Sequence, residues 1–339
     1  MLPRVVTACL VLASFAVAAS AADLPPAGAM QAAFAAGDFA TAQSLADATL
    51  AASPNDIPAN LMESTLALYR NDMRAAEGYA SGVIAIDPKN AQALRNVTLA
   101  AGRREDADGT NIDMNGGYLR VPFVVTDPLP LVRVSVNNHP ALFVIDTGAG
   151  NTVLDPAFAA EAGVTLTAAH GTADTFAIGD VTLHAVAIDA KATRGLPLFA
   201  DRRADGIIGT RTLAHFLATI DYAHGALFLR PRSVQGSKDF ERRTGASAVP
   251  MILAGDHALF VRGRINAGPE GWLALDTGRA PADAAVPATL TVGVRKVDAV
   301  RIPDPAGTQP FPVQGAVPQA YFRKLALTLD FDAMKAVIQ

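Results

Sequence analysis

Two carboxylates stand in the same tripeptide, Asp146-Thr147-Gly148 and Asp276-Thr277-Gly278. Each ends an apolar run, Leu142 to Ile145 in the first case and Trp272 to Leu275 in the second. One such tripeptide is a weak signal, because short motifs occur by chance. Two in matching surroundings carry more. Carboxylates about 3 Å apart cannot both ionise readily, so they hold one proton between them and titrate as a unit. The ionised member can take a proton from a bound water while its protonated partner donates to a carbonyl oxygen. This gives hydrolysis through a tetrahedral intermediate with no covalent adduct, no organic cofactor and no metal. Asp146 and Asp276 are the candidates, and which is acid and which is base stays open because the proton is shared.

The elements that must position these residues repeat as well. Val121-Pro122-Phe123 returns as Val249-Pro250-Met251, and Val136-Asn137 returns as Ile265-Asn266. Gly206-Ile207-Ile208 and Ile220-Asp221-Tyr222 return as Gly315-Ala316-Val317 and Leu329-Asp330-Phe331, with the same interval from Gly206 to Asp221 as from Gly315 to Asp330. Residues 121–339 therefore read as two copies of one β-rich lobe built from short β-branched strands. The second copy is reduced: the interval from Asp276 to Gly315 is much shorter than that from Asp146 to Gly206, and Pro318 stands where the first copy has Gly209. Asp221 and Asp330 also repeat, but each sits among apolar residues near a turn and reads as structural.

This pattern resembles the retropepsin-like and pepsin-like aspartic peptidases, most specifically along Phe143 to Leu154, Asp205 to Gly209 and Phe216 to Leu229. The resemblance implies a cleft between two lobes, an Asp146/Asp276 dyad and peptide or protein substrates. It further implies that Thr147 and Thr277 bond across the lobes, that Gly148 and Gly278 let the backbone pass close, and that Ile207-Ile208-Gly209 packs behind the loop. Ala149 matches the retropepsin habit after the motif, whereas Arg279 departs from both patterns and either depresses the titration of the pair or points to solvent. By position, Ala169 to Gly179, ahead of a strand at Val181 to Ile188, is the expected flap.

Other chemistries find little support. The six histidines form no HExxH set, so zinc is not expected. No Gly-x-Ser-x-Gly elbow and no Gly-Lys-Ser/Thr phosphate loop occurs, and Gly148-Ala149-Gly150 lacks the third glycine of a dinucleotide loop. A net charge of -4 with scattered Lys and Arg argues against nucleic acid.

Upstream the character is helical. Gly37-Asp38-Phe39, Ala42 and Pro54 recur at one constant spacing as Asn71-Asp72-Met73, Ala76 and Pro88. That spacing resembles the period of the tetratricopeptide repeat, with Ala42 and Ala76 at the small position where paired helices approach, and it implies a protein partner for this region. The N-terminus has Arg4, an apolar run over Val5 to Val17 and small residues at Ala19 to Ala22, the form of a cleaved export signal. The single cysteine, Cys9, lies inside it, so the mature chain is expected to hold no disulfide.

The expected organisation is a multidomain α and β protein: signal peptide 1–22, tetratricopeptide-like helical hairpins 23–108, linker 109–120, and an all-β two-lobed aspartic peptidase domain with lobes at 121–240 and 241–339. The expected function is an exported, periplasmic or secreted aspartic endopeptidase without stable membrane insertion. Two alternatives remain: a peptide-binding module of the same fold with little or no catalysis, and a homodimer using Asp146 from each chain.

Overall fold

Short polar side chains start the N-terminal helices. In the computed structural model, which describes residues 26, 28–109, 111–195, 203–255, 257–279 and 284–339, α1 (Ala29–Ala35) leads into α2 (Phe39–Ala52), α3 (Ile57–Tyr69), α4 (Met73–Ile86) and α5 (Ala91–Gly109). The expected signal segment, 1–22, lies outside the described residues. Asp38, Asp56 and Asp72 accept from the backbone N–H groups of Thr41, Ala59 and Ala75, and Asn90 accepts from Ala93. Each satisfies a donor that the first helical turn leaves unpaired. Asp38 and Asp72 stand one repeat apart, and so do Asp56 and Asn90. The helix starts thus recur with the period of the sequence. Ala42, Ala76, Ala59 and Ala93 are wholly buried where helices meet, because only a methyl group fits there.

The expected linker at 109–120 is mostly not one. Helix α5 continues to Gly109, and beyond Asn111 the chain enters the sheets. Strand β1 (Ile112–Met114) pairs with β7 (Val181–Ala190), and β2 (Leu119–Pro122) pairs with β10 (Ala226–Pro231). The first lobe continues through β3 (Leu131–Val136), β4 (His139–Ile145), β5 (Thr152–Leu154), α6 (Pro156–Glu161), β6 (His170–Ile178), β8 (Gly206–Ile208), α7 (Thr210–Leu213) and β9 (Phe216–Asp221). Its seven-stranded sheet runs β1-β7-β5-β8-β4-β3-β6, and β6 pairs back onto β7, closing it into a barrel.

Helix α8 (Val234–Thr244) crosses to the second lobe, so the expected boundary at 240/241 falls inside a helix. There follow β11 (Ala248–Ala254), β12 (Ala258–Ile265), β13 (Gly271–Leu275), β14 (Pro287–Val292), β15 (Arg295–Arg301), β16 (Val313–Val317), α9 (Gln319–Phe322), β17 (Ala326–Asp330) and β18 (Lys335–Ile338). The duplication reaches individual hydrogen bonds. Asn137, with φ 47°, turns β3 into β4 and its side-chain oxygen accepts from Thr175 N–H at 3.0 Å. Asn266, with φ 53°, accepts from Thr289 N–H at 2.9 Å. Asparagine tolerates the left-handed backbone that both turns require. The shortfall of the second copy falls between its Asp and its Gly, the interval where lobe 1 carries β5 and α6.

One sheet joins the lobes. Its order β11-β18-β17-β9-β10-β2 places β17 against β9 at the centre, with Leu327 opposite Ile220 and Thr328 opposite Thr219. The hydroxyls of Thr219 and Thr328 lie 2.7 Å from each other and relate the halves.

The helices are docked on lobe 2 by an aromatic cluster. The Phe39 ring centroid lies 5.2 Å from Trp272 and 5.1 Å from Phe311, and Phe34 and Tyr69 close around it. Trp272 Nε1 donates to the Gly37 carbonyl at 2.8 Å. A side chain at position 37 would collide with the indole, a Cβ coming within 2.9 Å of Trp272 Cδ1, and Gly37 has φ 76°, so glycine is required twice over. Arg103 bridges the same junction, donating to the carbonyls of Leu68 at 2.7 Å and Gly255 at 2.6 Å. Replacing Trp272 with Ala should lower the unfolding free energy by about 3–5 kcal/mol, the usual cost of emptying a large aromatic site. Denaturant titration of the variant measures this, and a loss below about 1 kcal/mol would mean that the ring contributes little to holding the helices.

Candidate active site

The two Asp-Thr-Gly loops interlock. Strand β4 delivers Asp146 and β13 delivers Asp276, and behind each loop a parallel strand fixes its height. In lobe 1, β8 lies beside β4 with Ile208 opposite Ile145, and Asp146 N–H donates to the Ile208 carbonyl at 3.1 Å. Gly209 then starts α7 where a Cβ would lie 2.3 Å from the Asn151 carbonyl oxygen. Ile207 and Ile208 lie on β8 and Gly209 at the start of α7, behind the first loop. In lobe 2, β16 lies parallel to β13 with Val317 opposite Leu275, and Pro318 starts α9 in the place of Gly209.

Thr147 and Thr277 tie one loop to the other. Thr147 N–H donates to Thr277 Oγ1 at 3.1 Å, and Thr277 N–H donates to Thr147 Oγ1 at 3.0 Å. The Thr147 hydroxyl donates onward to the Leu275 carbonyl at 2.8 Å. Both threonines are buried, so each lost bond would leave a polar group unpaired away from water.

The glycines show how close the loops come. A Cβ added to Gly148 would lie 2.0 Å from Asp276 Oδ1, and one added to Gly278 would lie 2.1 Å from Asp146 Oδ2. Each glycine therefore leaves the space that the opposite carboxylate fills. Asp146 Oδ1 accepts from the N–H groups of both Gly148, at 2.8 Å, and Gly278, at 2.9 Å, so one carboxylate is held by donors from both lobes.

Burial dominates the electrostatics. It raises Asp146 above the ordinary carboxylate range, opposed by the two glycine N–H groups and by the charge of Lys191. Asp276 is pushed up to about 6, first by burial and then by the negative charge of Asp146. Arg279 acts in the opposite direction. Its charge and backbone N–H lower Asp276, while its exposed guanidinium donates through Nε to the Asp304 carbonyl at 3.1 Å. Beneath the loops the Tyr222 ring stacks on Phe322 at 5.6 Å, and burial raises its phenol.

Several features lie outside what the sequence suggested. Asn151 donates to Asp189 Oδ2 at 2.7 Å, and His170 Nδ1 lies 2.7 Å from the other oxygen of that carboxylate. Asp155 accepts from the N–H groups of Thr193 and Arg194, and Arg194 bridges Asp205 and Glu161, bracing the chain that enters β8. The expected flap needs correction. Ala169 to Gly179 is chiefly strand β6, which meets β3 at Val136, the end paired with His139 and remote from Asp146. Its tip at Gly179 faces Leu119 of β2. The end of this hairpin beside the loop is His170 with Asp189. Asp221 and Asp330 cap turns: Asp221 Oδ1 accepts from His224 N–H, and Asp330 Oδ1 accepts from Asp332 and Ala333 N–H.

Comparison with known proteins places the first of these loops. Residues 132–212 match the aspartyl protease family model. The matched segment runs from β3 through α7, so it contains Asp146 and Ile207-Ile208-Gly209 and stops short of Asp276. No curated protein matches the chain. Among solved structures, a retropepsin-like aspartic protease from Rickettsia conorii is similar at 23% identity and a TM-score of 0.27, over 36% of this chain and 93% of that one. An aspartic proteinase from Irpex lacteus is similar at 11% identity and a TM-score of 0.41, over 65% of this chain and 96% of that one.

The raised carboxyl of Asp276 has a consequence for stability. A group that binds its proton more tightly when folded adds stability that is fully present below its unfolded value of 3.8 and is lost as pH rises through about 6. Asp276→Asn removes this dependence. At pH 8 the variant should be more stable than the parent by up to about 3 kcal/mol, with the gain vanishing near pH 4. Urea titrations at the two pH values read this directly, and an equal effect at both would mean that Asp276 ionises as freely as in the unfolded chain.

Proposed function

We propose that this chain is an aspartic endopeptidase in which Asp146 and Asp276 form one dyad within a single chain. The observation that carries this reading is the interlocked pair of loops, in which each motif glycine leaves room for the opposite carboxylate. A water held between the carboxylates loses a proton to the ionised member as it attacks the peptide carbonyl. The protonated member donates to the carbonyl oxygen, and return of a proton to the leaving amine completes the cleavage. The glycine N–H donors fixed on Asp146 from both lobes oppose the effect of burial there, and because burial raises both carboxyls the pair shares its proton without assigning it to one member. Thr147, Thr277, Gly148 and Gly278 position the dyad.

A dimer of first lobes would need the β9 edge, which β17 occupies. That pairing favours one chain over two. The N-terminal helices, whose capped starts recur at a constant spacing, are read as tetratricopeptide-like hairpins that offer a protein-binding surface on the side away from Trp272. The export signal read at 1–22 makes the mature protein periplasmic or secreted.

The test is cleavage of a mixed peptide library by the mature protein from pH 3 to 8. Asp146→Asn and Asp276→Asn should each lower kcat/KM by several orders of magnitude while leaving the fold intact, since an amide cannot serve in either half of the reaction. Activity of the parent should fall as pH rises through about 6, where Asp276 gives up its proton. Loss on changing Asp146 but not Asp276 would point to paired first lobes. Peptide binding without cleavage at any pH would point to a non-catalytic module.

A further inference from the structure

Beside the second loop lies a cavity of about 400 Å³, within the range of pockets that hold small ligands. Thr277 and Gly278 form part of its wall, so it abuts the N–H that Gly278 donates to Asp146. Three arginines line it: Arg279 after the motif, Arg301 at the end of β15 and Arg323 just past α9. Pro128 and Leu129 close it from lobe 1. Strand β15 reaches the cavity through an irregularity, since its register with β14 shifts between Ala288 and Leu290 and Ala299 takes a left-handed φ of 58°. A bulge of this kind re-aims the residues that follow it.

The charge balance here runs against that of the whole chain, which is -4. Arg323 Nε lies 3.5 Å from Asp127 Oδ1, a pair in which both side chains are mostly exposed. Arg279 is tied by Nε to a backbone carbonyl, which neutralises nothing. Among the described residues Arg301 has no carboxylate at ion-pair distance. On the lobe 1 side Lys191 acts on Asp146 as the smallest of its influences, and Asp189, bonded by Asn151 and His170, adds a carboxylate there. The lobe 2 wall of the cavity thus carries three arginines against the one carboxylate paired with Arg323. Guanidinium forks match carboxylates geometrically, and neighbouring apolar groups strengthen such contacts by excluding water.

Resting on the peptidase reading, we infer that the protein selects peptides carrying a carboxylate close to the scissile bond, held in this arginine-lined cavity. The carboxylate comes either from an acidic side chain or from the C-terminus of a short peptide. Assays at pH 5.5 suit both needs, lying above the ordinary range of a glutamate and below the value of Asp276. Internally quenched peptides with Glu, Gln or Lys scanned through the positions around the cut should show at least one position where Glu exceeds Gln about tenfold in kcat/KM, with the ratio shrinking in high salt. A free against an amidated C-terminus separates the two sources. Arg301→Ala and Arg323→Ala should each bring the Glu to Gln ratio toward one, Arg301→Lys should retain a preference for Glu, and Arg301→Glu should turn it toward Lys.

Cleavage with no preference for a carboxylate at any position would overturn the inference and leave the peptidase reading standing. Absence of all cleavage would instead remove the peptidase reading. The same peptides followed by fluorescence anisotropy would then decide the inference alone, tighter binding of Glu than Gln peptides that depends on Arg301 supporting it and equal binding overturning it.

Discussion

Two carboxylic acids that share a site repel each other whenever both are ionised, and burial raises the cost of even one charge. Nothing in either lobe alone would hold them together. The reciprocal bonds between Thr147 and Thr277 supply the constraint, because each threonine satisfies the backbone N–H of the other only when the loops are in register. The interlobe sheet beneath provides the reach over which that register is kept. Its central pair, β9 with β17, aligns the halves, and the strands that follow the loops pass directly into it through α7 and α9.

The lobes play different parts around this common centre. Lobe 1 closes into a barrel and braces its entry to β8 with the Arg194, Asp155 and Asp205 network. Lobe 2 is reduced, and a cluster on α1 to α3 covers its outer face. The covering is not remote from the chemistry. Trp272, the residue that anchors the helices, lies on the strand that ends at Asp276. The helical region therefore bears on the position of the second carboxylate, a link that a division into independent domains does not suggest.

Much of the lobe architecture was legible in the sequence because duplication makes local signals repeat. Val136-Asn137 and Ile265-Asn266 recur because both turns need a left-handed residue whose side chain can hold the neighbouring strand. The regular spacing of helix starts was readable for a similar reason, since capping acts within one turn. What stayed hidden depends on distant partners. Ile112–Met114 is too short to announce itself as a strand and exists by pairing with β7. Phe34, Phe39, Tyr69, Trp272 and Phe311 show no common spacing, so their meeting is decided by the fold. Arg301 and Arg323 are likewise ordinary surface residues until β15 and α9 bring them to one wall. Of the flap expected at Ala169 to Gly179 only the His170 end lies beside the loop, because the order of strands does not say which end of a hairpin faces it.

The cross-lobe threonine bonds join distant parts of the chain, which has a meaning for biosynthesis. Lobe 1 leaves the ribosome well before the loop that completes it. Until Thr277 arrives, Thr147 lacks its partner, and Asp146 lacks both the Gly278 N–H that it accepts from and the carboxylate of Asp276. A nascent chain at that stage also lacks β17, the strand that β9 pairs with in the interlobe sheet. The reciprocal threonine bonds thus form only after both loops have been made.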